Sequence, residues 1–113
     1  MNHWENILEK NIQIVDYYGV KSQIPVWIEE MSELTKVLCK WSRIYDKLEG
    51  DINSQLLLDM KEEITDVTIC LDQLKYVIEF FEDELMKNYE YKVDRQFKRI
   101  EENEWWTIKI KVK

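Results

Sequence analysis

Residues 54–81 read SQLLLDMKEEITDVTICLDQLKYVIEFF, and where their acidic members point decides what kind of helical protein this is. Placed at about 100° per residue, Leu56, Met60, Val67, Cys70, Leu74, Val77, Ile78 and Phe81 share one arc of a helix running from about Gln55 to Phe81. Glu63 falls in the middle of that arc. Asp66 lies on its flank one turn later, and Asp59 lies near it one turn earlier. The opposite arc already holds Lys61, Thr65, Thr68, Asp72 and Glu79. Acidic residues on a helix ordinarily form a solvated face, and Glu63 is not on it.

The preceding helix, from about Ile24 to Tyr45, repeats the arrangement. Trp27, Met31, Leu34, Leu38, Trp41 and Tyr45 form its apolar arc, and Glu29, Ser32, Lys36 and Lys40 its wet one. Glu30 and Glu33 lie in neither centre. They share a flank with Val26 and Val37, and residues three apart reach the same point. An ionised carboxylate on an apolar stripe costs several kcal/mol unless compensated. Like charges at this spacing add about 0.2–0.5 kcal/mol of repulsion per pair. Three compensations are open: a buried Arg or Lys pairs with Glu63, the carboxylates take up protons, or a divalent cation sits among them. The last accounts for both pairs at once. Glu30, Glu33, Glu63 and Asp66 would then make an all-oxygen site suited to Mg²⁺ or Mn²⁺.

The rest of the chain supports an all-α reading. It has 113 residues, 45% of them hydrophobic and 35% charged, with two glycines and one proline. That is too apolar for disorder and too poor in turn residues for many strands. The length suits one domain. A first helix spans about residues 3–17, with Gly19 as its left-handed cap. Ser22 caps the next, with Pro25 in its first turn. Residues 49–54 form a turn with Ser54 as cap, and a fourth helix covers about 82–103 with no Gly or Pro marking its start. In the tail, Ile108, Ile110 and Val112 alternate with lysines, a strand period. The tail is either an edge strand or a disordered basic segment.

The formal net charge of -7 argues against a nucleic-acid polymer or an anionic membrane as partner. No apolar run is long enough to span a bilayer. The N-terminus lacks the regions of a signal peptide, and Cys39 and Cys70 form no CxxC and read as small buried hydrophobes. Together these place the protein in the cytoplasm.

Two motifs now stand out. Glu29-Glu30-Met31-Ser32-Glu33 spells EExxE, and Glu63-Ile64-Thr65-Asp66 spells ExxD on the following helix. In this order, facing inward on consecutive helices, they resemble the MazG-like group of all-α nucleoside triphosphate pyrophosphohydrolases, relatives of the dimeric dUTPases. The resemblance covers roughly residues 20–103. It implies a four-helix bundle-like fold, a homodimer or homotetramer, and Mg²⁺-dependent cleavage of a nucleoside triphosphate to the monophosphate and pyrophosphate. Carried across, the metal ligands are Glu30, Glu33, Glu63 and Asp66, with Glu33 and Glu63 also catalytic. Basic residues on the last helix agree with it: Lys92 and Arg95 read either as a phosphate clamp or as a solvated basic face. Trp27 and Trp41 read either as stacking partners for the base or as core.

The rival reading is a non-enzymatic helical module that binds a protein, supported by the acidic surface and the tryptophan-rich ends. Other chemistries fail on composition. A di-iron bundle needs Glu-x-x-His pairs, and the single histidine, His3, lies outside both motifs. Ser-His-Asp catalysis fails for the same reason, and no GxxxxGK[ST] phosphate loop is present.

Overall fold

A computed structural model describes residues 1–45, 47 and 53–112, with side chains as far as residue 103. Among the described residues there are four helices and no strand: α1 (His3–Tyr18), α2 (Val20–Tyr45), α3 (Ser54–Val77) and α4 (Glu82–Val112). No described helix is long and apolar enough to cross a membrane.

Each junction has a local cause. α1 opens on a reciprocal cap: the Glu5 amide donates to Asn2 Oδ1 at 2.8 Å, and the Asn2 amide donates to Glu5 Oε2 at 3.2 Å. Gly19 separates α1 from α2 with φ 85° and ψ 154°, a region open essentially to glycine alone. Its carbonyl accepts from the amides of Ser22 and Gln23, so α2 begins directly after it. Ser22 is therefore inside the helix and is not its cap, and Pro25 lies beyond the first turn. α3 is capped by Asn53, not Ser54, with the Leu56 amide donating to Asn53 Oδ1 at 2.8 Å. The expected turn at residues 49–52 lies outside the described residues.

α3 stops at Val77, four residues short of the expected end. Glu79 adopts φ 56°, so a non-glycine residue makes the left-handed step that breaks the helix. The tail corrects the strand expectation, because α4 continues through it to Val112. A strand needs a neighbour to take its backbone hydrogen bonds, whereas a helix satisfies its own. No Gly or Pro interrupts residues 104–112.

The chain divides into two compact units, Met1–Glu79 and the segment from Phe80 onward. In the first, α1, α2 and α3 pack on one another, with the α2–α3 contact the most extensive. Val15, Trp27, Leu56, Met60 and Cys70 form its buried apolar core. The second is α4, on which Met86, Tyr89, Val93, Phe97 and Ile100 are exposed. Gly19→Ala should lower unfolding stability by about 1–3 kcal/mol, read from denaturant midpoints. An unchanged midpoint would mean that the α1–α2 junction relaxes freely.

Candidate metal centre

α2 and α3 run antiparallel, and three pairs of residues show their register. Gln23 meets Gln73 through a 3.0 Å hydrogen bond. Farther along, Glu30 lies within electrostatic reach of Asp66, and Glu33 within reach of Glu63. Going up α2 by seven residues and then three matches going down α3 by the same steps. Residues seven apart on a helix lie on nearly the same side, so each helix carries one polar stripe and the two stripes face each other.

At the far end of this seam, Glu30, Glu33 and Glu63 are half-buried. Each offers a carboxylate oxygen, and these oxygens lie within 4.8 Å of one another. Oε2 of Glu30 and Oε2 of Glu63 are sealed from solvent and meet no hydrogen-bond donor among the described residues. Burial pushes the Glu30 carboxyl above its usual range, and the charges of Glu33, Asp66 and Glu63 push it further. Glu63 is raised in the same way, first by burial and then by Glu33, Asp66 and Glu62. Asp66 is outside the grouping of three. It is half-buried and lines a cleft beside Glu30. Glu29, the remaining acid of the first motif, is exposed.

Of the three compensations, the first is not seen among the described residues: the ion pair present joins Lys75 to Asp72 at 3.0 Å, and no described Lys or Arg pairs with the cluster. Protonation and a cation are the other two. The donor set is all oxygen, with no imidazole or thiolate among the three, which fits Mg²⁺ or Mn²⁺. The two orphaned oxygens fit it too, since each is desolvated without a partner.

Trp27 is 5% exposed and its indole N–H donates to Gln73 Oε1 at 2.7 Å, which makes it a core residue with its polar edge occupied. Trp41 is half-buried, edge-on to Tyr45 at 5.9 Å, and its Nε1–H has no partner among the described residues. Lys92 and Arg95 are exposed on α4 in the second unit, with the Arg95 guanidinium 5.5 Å from the centre of the Tyr91 ring. Cys70 is buried as expected and Cys39 is exposed. Burial, then the charges of Glu30 and Asp66, push the Cys70 thiol up and keep it protonated.

Sequence reasoning missed the buried amides. Gln73 is 3% exposed and Gln23 7%. The signal was present: Gln23 precedes Glu30 by seven residues, and Gln73 follows Asp66 by seven.

Compared with known protein families, with curated proteins and with solved structures, the chain matches none.

The raised carboxyls have a consequence for pH. A carboxyl that binds its proton more tightly folded than unfolded favours folding at low pH, and that contribution is lost as pH rises through its raised pKa. In EDTA, Glu63→Gln should therefore gain stability relative to the wild type as pH goes from about 4 to about 7. Urea midpoints at both pH values check this. A variant that loses ground toward neutral pH would show that Glu63 is stabilised by a positive group.

Proposed function

We propose that the chain is a nucleoside triphosphate pyrophosphohydrolase that requires Mg²⁺ or Mn²⁺, of the MazG and dimeric dUTPase type in fold. The observation that carries this reading is the convergence of Glu30, Glu33 and Glu63 from two helices, with two of their oxygens sealed and unpartnered. The EExxE and ExxD motifs that supply these residues add to it.

Glu30, Glu33, Glu63 and Asp66 would hold the metal. Mg²⁺ bound there supplies charge neutralisation, water activation and orientation of the triphosphate. Glu33 is assigned as the base because it is the member of the close group with no sealed, unpartnered oxygen, which leaves it open to a water. It takes a proton from the water whose oxygen bonds to the α-phosphorus. The bond from the α-phosphorus to the bridging oxygen breaks, and pyrophosphate leaves with that oxygen, so the monophosphate remains. Housekeeping of the nucleotide pool is the role such a reaction suits.

Self-association into a homodimer or homotetramer belongs to the same proposal. Ile28, Leu58 and Ile64 of the first unit are each at least half exposed, apolar side chains of the kind that a second copy would cover. The same side chains favour the alternative, a helical module that binds another protein without catalysis.

Two measurements separate these readings. Calorimetric titration with Mg²⁺ or Mn²⁺ should give binding heat for the wild type and none for Glu63→Gln. A screen of nucleoside triphosphates with Mg²⁺ should release pyrophosphate, not orthophosphate, and Glu63→Gln should abolish it while the far-ultraviolet helical signal stays. Turnover by Glu63→Gln at the wild-type rate overturns the mechanism. A wild type that binds no metal leaves the protein-binding module.

A further inference from the structure

Beside the carboxylates, a cleft of about 450 Å³ opens between α1, α2 and α3. Its walls include Ile14, Tyr18, Val26 and Ile69, and Gln23 and Gln73 line it too. Glu30 belongs to both the cleft and the acidic cluster, and Asp66 lines the cleft beside it, so the two are continuous. The size lies within the range of small-molecule sites, which are mostly apolar with a few fixed polar groups.

The polar groups here are fixed by a chain of hydrogen bonds that starts at one donor. An indole N–H can only donate. Trp27 Nε1 donates at 2.7 Å to Gln73, so the atom of Gln73 facing it must be the oxygen. Gln73 Nε2 then faces Asn11 Oδ1 at 2.8 Å, and Asn11 Nδ2 donates on to the Ile69 carbonyl at 3.1 Å. Gln73 Oε1 also faces Gln23 at 3.0 Å, so the Gln23 atom there must be its amide nitrogen. The orientation of Gln23 is thereby settled by hydrogen bonding alone. Its Oε1 accepts from no described residue, and its second amide hydrogen is unused. Gln23 thus lines the cleft with an unclaimed acceptor and an unclaimed donor hydrogen, held in a single orientation.

We infer that this cleft binds a nucleobase and that Gln23, oriented by Trp27 through Gln73, determines which base is accepted. This rests on the proposed triphosphate substrate, whose phosphates would lie toward Glu30 and Asp66. The chemistry recognised is a planar nitrogen ring with a donor and an acceptor adjacent on one edge. The apolar walls take the ring faces. A base whose edge presents the two groups in the wrong order leaves a buried amide unpaired, and such sites discriminate far more strongly than apolar fit alone.

The test uses the full chain in EDTA, with the common nucleosides as uncharged probes and the side-chain amide and indole signals followed by nuclear magnetic resonance. One base class should bind at least about fivefold more tightly than the others, the scale of one net hydrogen bond. Gln23→Met should bring all nucleosides within about twofold of one another, while Trp27 keeps its acceptor on Gln73 and the fold its midpoint. Ile14→Trp, at an exposed position on the cleft wall, should block all of them. With Mg²⁺ and triphosphates, Gln23→Met should flatten the spread of KM across bases. Equal nucleoside binding by the wild type, or discrimination that survives Gln23→Met, overturns the assignment. If base-selective hydrolysis persists in Gln23→Met, this inference fails and the hydrolase reading stands. If nucleosides bind selectively but no triphosphate is cleaved, the cleft stands and the hydrolase reading fails.

Discussion

The antiparallel register of α2 against α3 is the constraint from which the rest follows. It sets Gln23 against Gln73, Glu30 near Asp66 and Glu33 near Glu63. A slip of one residue on either helix would turn its stripe by about 100° and carry the acids toward solvent. Packed side chains hold the register along with these polar pairs. Leu56, Met60 and Cys70 on α3 and Trp27 on α2 are buried, and such close-packed side chains tolerate little sliding.

Along this one seam the two ends differ in kind. The amide end is tied together: Trp27, Gln23 and Asn11 all bond to Gln73, whose side-chain oxygen and nitrogen are both engaged. A buried network of this sort stiffens the contact around it. The acidic end is the reverse. Three carboxylates crowd together, burial and mutual repulsion raise two of them, and two oxygens are left without donors. Local conflict of this kind is expected where a chain is shaped for a ligand and not for its own stability. The proposed function and the proposed base cleft share this seam: the stiff end would select and the strained end would react.

The helices and their inward faces were legible because both periods are strong. A 3.6-residue repeat of Leu, Met, Val and Trp over five or more turns has little competition, and Glu63 stands out because it interrupts that repeat. The junctions were less legible. Asn53 and Ser54 are both good caps, and only the backbone geometry selects Asn53. Glu79 makes a left-handed step that no propensity favours. The alternating tail read as a strand because its period is two, but period alone supplies no neighbouring strand, and the chain continues as helix.

What the amino-acid sequence by itself determined is the largely helical character, the presence of the long amphipathic stretches, and the side of α2 and of α3 on which the carboxylates lie. These depend on residues close together in the chain, where spacing and angle are tied by the helix itself. Only the tertiary structure decided that Glu30, Glu33 and Glu63 form the close group while Asp66 stands beside it. It also decided that Trp27 is tied into the core and that Gln23 and Gln73 are buried partners. Those facts depend on how one helix is shifted along another. That shift is the outcome of packing across some fifty residues of separation, and no local spacing encodes it.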